Sequence, residues 1–285
     1  MTTGRRLVVC ASHSPGMERD TEKAQGREFR DGLARAREEV AAFDPELVIL
    51  FGGDHRRAFR HVVPAFAIAL SAGVMAEAGH PAATLDVPGD TARAMSEHLL
   101  RSGIDVAVCR KIELDHAFAQ PLRDLLGGLD RTPVIPLPVN CATPPLPPAE
   151  RALAFGRAAG SFLDGLTERV LVIGTGGLSH SPPSLEVDTF ELADEERARL
   201  IAVGAEDARK KINPEWDAAF LDAVAAWDEP ALVKLTGEAT ERAGVGANEV
   251  RTWLAAGATG GGGLRTLRYQ VVEEWITGMA VAATG

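Results

Sequence analysis

The chain has 285 residues, 46% hydrophobic and 25% charged, with a formal net charge of −10. That length can bury a full core, and the acidic balance, with neither basic patch nor basic tail, excludes nucleic acid and an anionic membrane surface as partners. A small molecule or another copy of the chain remains. Cys10, Cys109 and Cys141 stand far apart with no paired spacing, which gives no zinc knuckle, CxxC redox motif or disulfide framework, and a reducing cytoplasm is expected. The apolar stretch LVVCA after Arg5 and Arg6 is too short for a signal-peptide core, and no run approaches the roughly 20 apolar residues of a membrane span.

In chain order, RLVVCA (6–11) predicts a first strand and SHSPG (12–16) a turn, so His13 stands just past a strand end. From about Thr21 to Phe43, Phe29, Leu33, Val40 and Phe43 recur among arginines and glutamates, the pattern of a surface helix that Pro45 closes. LVILFGGDH (47–55) reads as a buried strand running through two glycines to His55, at the end where open α/β sheets place ligands. On this stretch alone Asp54 and His55 are equally well read as polar loop residues. Residues 61–76 do not separate strand from helix. Residues 90–102 predict a helix with Asp90 as N-cap and Gly103 as stop, IDVAVC (104–109) a strand, 119–126 a short helix ended by Gly127 and Gly128, and TPVIPLPVN (132–140) another strand. Prolines 144, 145, 147 and 148 make a rigid connection to a helix over 149–164, and RVLVIGTGGLSH (169–180) repeats the order of strand, glycines, histidine. Residues 191–257 are helical in pattern, 260–263 form a glycine loop and LRYQVV (267–272) an edge strand. The expected fold is α/β, a mixed central sheet flanked by helices with a helical C-terminal portion packed on the same core, in one domain over 1–285.

Four of the seven histidines, His13, His55, His116 and His180, fall in turns after strand candidates, where imidazole serves as metal ligand or as acid and base near neutral pH. His61, His80 and His98 read as structural or solvent-facing. A mononuclear metal also wants a carboxylate. On a helix over 247–257 Glu249 lies one turn from Trp253, at the edge of the buried face or turned out to solvent. Two histidines and one carboxylate with open positions are the facial set of non-haem Fe(II) oxygenases. GTGG (174–177) lacks the Lys-Ser/Thr ending of a phosphate loop, and Ser179 has no G-x-S-x-G elbow around it.

The stretches ASHSP (11–15), PELVILFGGDH (45–55), DHAFAQPL (115–122), LLGGLD (125–130), VNCATPPLP (139–147), RVLVIGTGGLSHSPP (169–183), INPEWDAAF (212–220) and EVRTWLAA (249–256) span nearly the whole chain in order. With them the chain resembles the class III extradiol ring-cleavage dioxygenases of the LigB-type superfamily, nearest to members that act on 2,3-dihydroxyphenylpropionate. The resemblance implies Fe(2+) held by His13, His55 and Glu249, His116 as catalytic acid, His180 as catalytic base, a substituted catechol and O2 as substrates, and a homo-oligomer. Two departures stand out: the segment from Ser184 to Asn213 is shorter, and Arg56 and Arg57 follow His55 where relatives carry uncharged polar or aromatic residues. The arginines could hold a substrate carboxylate or form a solvated surface pair. With Asp115 they are the candidate substrate contacts, and a different substituted catechol or a protocatechuate-like acid stays open beside phenylpropionate. Two other readings are a partner-binding, non-enzymatic member of the superfamily and a zinc hydrolase using the same ligands.

Overall fold

The computed structural model describes residues 5–77, 79–186, 192–260 and 262–285. Strand β1 (Arg6–Ala11) leads into a single turn, α1 (Pro15–Arg19), where Ser14 Oγ accepts from Gly16 N–H, and then α2 (Arg27–Phe43). β2 (Leu47–Gly53) is buried along its whole length. The stretch that the sequence left undecided holds β3 (Ala67–Ala69) and β4 (Ala72–Val74), with β5 (Ala83–Thr84) after it. These strands are too short to carry a period. Then come α3 (Gly89–Arg101), β6 (Ala107–Cys109), β7 (Ile112–Leu114), α4 (His116–Leu126), β8 (Val134–Val139), α5 (Ala149–Leu163) and β9 (Val170–Thr175). The helical portion is α6 (Pro183–Glu186), α7 (Asp194–Arg209), α8 (Pro214–Ala226), α9 (Glu229–Ala243), a 3-10 turn over Val245–Glu249, and α10 (Val250–Gly260). β10 (Arg265–Val272), a second 3-10 turn (Glu273–Trp275) and β11 (Thr277–Ala283) complete the chain.

The central sheet has the order β10-β11-β1-β9-β2-β8. β1, β9, β2 and β8 pair in parallel, and β11 runs antiparallel to both β1 and β10. The sheet is therefore mixed, with 267–272 inside its edge strand, as expected. Alternate residues serve opposite faces: Val8, Ile49, Phe51 and Val172 meet Trp216, Phe220 and Trp253 on one side, while Val9, Val48, Leu50 and Ile173 meet Phe29, Val40 and Phe118 on the other. Covering both faces makes the parallel strands continuously apolar, and each fully buried aliphatic side chain contributes about 1.5–3 kcal/mol. The C-terminal helices pack on the first of these faces, in the same core as the sheet. Gly156 and Gly160 of α5 let α10 come close, since a Cβ at either would lie 2.1 Å from Ala255 O or 2.7 Å from Thr259 O.

Several elements differ from expectation. Asp90 lies inside α3, whose N-cap is Pro88, because the chain enters the helix directly from a Pro-Gly pair. α4 starts at His116 rather than 119, because Asp115 caps it by accepting from Ala117 N–H. β11 is small and alternation-free, TGMAVAA, and carries no strand signature; it is buried on both faces between β1 and β10. α10 runs through Gly260, into the expected glycine loop. Residues 187–191, within the segment noted as short and at the start of the helical stretch, and residue 261 lie outside the described residues.

Candidate active site

β1, β2 and β9 run parallel and end together, so the residues just past their carboxyl ends converge. His13 follows β1, and its Nδ1 meets Thr175 Oγ1, the last side chain of neighbouring β9, at 2.8 Å. His55 follows β2. Asp54, buried beside it, folds the loop back by accepting from the backbone N–H of Arg57, Ala58 and Phe59 at 3.2, 2.8 and 3.1 Å. Asp115 Oδ2 accepts from both the backbone N–H and Nδ1–H of His55, each at 3.0 Å. Glu77 Oε2 does the same for His116, at 3.1 and 3.0 Å. His180 is held by its own loop, Nδ1–H donating to Leu178 O at 2.9 Å. Opposite a carboxylate or carbonyl, Nδ1 must carry the proton. With each Nδ1 so engaged, the Nε2 nitrogens are left for the centre.

That centre is built around Glu249, which is buried to 3% exposure and does not turn out to solvent. Its Oε1 lies 2.8 Å from His55 Nε2 and 3.8 Å from His13 Nε2, and its Oε2 lies 3.6 Å from His180 Nε2 and accepts from Gly177 N–H at 2.7 Å. It is the last residue of the 3-10 turn before α10. The first turn of α10 clamps it in place, with Thr252 Oγ1 donating to Thr175 O at 2.8 Å and Trp253 Nε1 donating to Gly176 O at 2.9 Å. Gly176 has φ +114°, and a Cβ there would lie 2.5 Å from Glu249 Oε2, so both the backbone angle and the space require glycine.

The electrostatics follow from burial and these pairs. Burial pushes the His13 imidazole down to about 3, against the pull of Glu249. Burial likewise lowers His180, so both are neutral near pH 7. At His55 burial is outweighed by Asp115 and Glu249, which raise it well above the ordinary histidine range. Burial would raise Glu249, but His13, His55 and His180 hold it well below the usual carboxylate range. Asp115 is depressed in the same way, chiefly by His55 against the effect of its burial.

His13, His55 and His116 are close enough to hold a metal ion, their donor atoms lying within 4.8 Å of one another. The His55 and His116 rings stack with centroids 4.5 Å apart. Glu249 offers an anionic oxygen still closer to His55 and on the side of His13 away from the Thr175 contact. A carboxylate oxygen 2.8 and 3.8 Å from two imidazole nitrogens, which themselves lie within 4.8 Å of each other, suits one face of a cation bound at about 2.0–2.2 Å. In the structure a single hydrogen bond between a charged imidazole and a carboxylate fills that gap, where a cation would replace the proton.

His13, His55, His116 and His180 open on a cavity of about 600 Å³, with Met75, Leu185 and Trp275 on its apolar walls. Arg19, Arg56, Arg57 and Arg60 also line it, against Glu77 and Glu274, so its wall is more basic than the acidic chain as a whole. Arg56 donates from Nη2 to Ala142 O at 2.9 Å and Leu185 O at 3.1 Å, tying the loop after β8 to α6. Arg57 reaches Glu77 Oε1 at 3.6 Å and keeps a side chain 44% exposed. Asp115 lies behind His55 rather than on the cavity wall. Glu77 escaped the sequence reading because it lies just past the undecided segment, with no motif around it.

Residues 7–281 match the family described as the catalytic LigB subunit of aromatic ring-opening dioxygenase. The chain belongs to this family. It is similar to 2,3-dihydroxyphenylpropionate/2,3-dihydroxicinnamic acid 1,2-dioxygenase 2 of Pseudomonas putida, 39% identical over 87% of each chain. The protein of the same name from Dechloromonas aromatica (strain RCB) is 36% identical over 97% of each. A solved structure, an uncharacterized protein from Escherichia coli K12, matches with a TM-score of 0.55 over 98% of this chain and 99% of the other at 13% identity, a likeness of fold. This member of the LigB family is an extradiol dioxygenase that opens a catechol ring with O2, and the partner-binding and hydrolase readings are not favoured. Among the described residues no helix is long and apolar enough to cross a membrane.

Proposed function

We propose that the chain, acting as one catalytic domain over 1–285, is an Fe(II)-dependent dioxygenase for a catechol carrying an anionic substituent, such as 2,3-dihydroxyphenylpropionate. The observation that carries this reading is the buried Glu249 Oε1, 2.8 Å from His55 Nε2 and 3.8 Å from His13 Nε2, behind the two histidines that line the cavity. His13, His55 and Glu249 would hold the metal, in the facial set suited to Fe(II). When bound, Fe(II) acidifies the catechol hydroxyls and carries electrons from the ring to O2. His180, neutral, takes a hydroxyl proton at Nε2. His116 holds a proton at Nε2 and returns it as the ring opens. Removal and return of a proton call for two groups that can carry one, which the imidazoles of His180 and His116 supply. Asp115 orients His55, and Met75, Leu185 and Trp275 receive the apolar part of the ring substituent.

Arg57 is the cation read as meeting the substituent's carboxylate, since Arg56 is occupied with Ala142 O and Leu185 O. The names of the relatives support this substrate class. A cytoplasmic setting is supported by the unpaired Cys10, Cys109 and Cys141. Self-association rests on the family resemblance and is checked by light scattering on the purified chain. For the activity, anaerobic loading with Fe(II) or Zn(II), then O2 and a panel of catechols, is decisive. Oxygen uptake and a yellow ring-fission product with Fe(II) alone are expected, fastest with carboxylate-bearing catechols. Uptake that is absent with every catechol, or equal with Zn(II), would overturn the reading.

A further inference from the structure

β4 and β7 pair in parallel with Val74 opposite Leu114, and Met75 N–H extends the pairing by donating to Leu114 O at 2.8 Å. The two strands therefore deliver their next residues side by side, Glu77 from one and His116 from the other. Glu77 and His80 exchange both backbone hydrogen bonds, at 3.1 and 2.9 Å, which fixes the Glu77 main chain. Glu77 Oε2 takes the backbone N–H and Nδ1–H of His116 at 3.1 and 3.0 Å, while Oε1 faces Arg57 Nη2 at 3.6 Å. One face of the His116 ring is covered by His55, stacked at 4.5 Å with 10° between the planes. All three side chains, Glu77, Arg57 and His116, border the cavity.

We propose that Glu77 is a positioning residue with two partners, one oxygen fixing the His116 ring so that Nε2 faces the substrate and the other drawing Arg57 to the cavity wall where a substituent's carboxylate arrives. The inference rests on the dioxygenase reading above. The Asp115–His55 pair shows that the site uses this geometry elsewhere, one carboxylate oxygen bridging a histidine's N–H and Nδ1–H. Such a bridge keeps a proton on Nδ1, so that the proton His116 gives up is the second one, at Nε2, and prevents the ring flip that would exchange the two nitrogens. The link to Arg57 adds a second consequence. Binding of the substituent and alignment of the acid are set by the same side chain, so an anionic catechol and an unsubstituted one respond differently to its loss.

The test uses the Fe(II)-loaded enzyme and two probes, 2,3-dihydroxyphenylpropionate and catechol. Glu77→Ala is expected to lower kcat by about 10- to 100-fold for both probes, as misplacement of a proton donor does, and to raise KM several-fold for the carboxylate probe alone. Glu77→Gln, whose amide oxygen can still accept from His116, restores most of the kcat yet keeps the selective rise in KM, because the charge facing Arg57 is gone. Iron content per chain and the melting temperature of Glu77→Gln identify a folded variant. A kcat for Glu77→Ala within about twofold of wild type, no rescue by Glu77→Gln, or an equal KM change for both probes overturns the inference while wild-type turnover upholds the reading beneath it. A wild type that consumes no oxygen with either probe removes that reading and this inference together.

Discussion

Glu249 Oε1 and His55 Nε2, 194 residues apart in sequence, lie 2.8 Å from each other in the buried centre of the site. The contact joins the end of β2 to the turn before α10 and sets two of the three groups proposed to hold the metal. Removing the anion should therefore uncouple metal binding from folding. Glu249→Gln is expected to weaken Fe(II) binding by more than about 100-fold, beyond the loss usual for an outer partner, and Asp115→Asn by about 10- to 100-fold. Iron retained per chain after anaerobic desalting at graded Fe(II) concentrations checks both.

Gly176 carries the same claim from the backbone side. At φ +114°, with a Cβ placed 2.5 Å from Glu249 Oε2, alanine strains the turn and pushes the carboxylate off its position. Gly176→Ala is expected to lose iron and activity together while keeping the fold. Circular dichroism beside iron content tests it; a variant that retains wild-type iron would show that the turn tolerates a side chain.

Proton transfer and metal holding should separate by mutation. His116→Ala and His180→Ala are expected to retain iron and lose about 10²- to 10⁴-fold in kcat, the usual worth of a positioned acid or base. His13→Ala and His55→Ala should lose iron itself. Steady-state oxygen uptake normalised to iron content distinguishes the two pairs.

Asp217 ties the His180 loop to the helical layer. Fully buried on α8, it accepts from Ser179 N–H at 2.8 Å, Ser179 Oγ at 2.7 Å and Tyr269 Oη at 2.8 Å, one residue from His180. Burial pushes its carboxyl up to about 6, although these hydrogen bonds oppose the shift. An acid raised in the folded state contributes stability that is complete below its unfolded value of about 3.9 and is lost as pH rises to about 6. Relative to wild type, Asp217→Asn should gain about 2–3 kcal/mol between pH 4 and pH 7. Urea melts at the two pH values measure that change; a difference independent of pH would remove Asp217 from the titration.

Much of the framework was legible in the sequence because its strands are long and apolar and end in glycine. RLVVCA, LVILFGG and VLVIGT became β1, β2 and β9, and the histidines after them lie around Glu249. The family resemblance named Glu249, which patterning alone left between core and solvent. What stayed hidden has physical causes. β3, β4 and β7 have three residues each, too few for any period, and Glu77 reaches His116 only through their pairing. β11 is small-residue and buried, without alternation. Arg56 and Arg57 looked alike in sequence; a positive φ of 60° at Arg56 turns one toward backbone carbonyls, while its neighbour reaches Glu77.

Crystals of the anaerobically Fe(II)-loaded protein, measured for anomalous scattering at the iron edge, test the assignment of the metal ligands most directly. One peak is expected at about 2.0–2.2 Å from His13 Nε2, His55 Nε2 and Glu249 Oε1, with His116 and His180 unligated beside the open positions. A peak ligated by His116 in place of Glu249, or no peak in this cluster, would contradict the account.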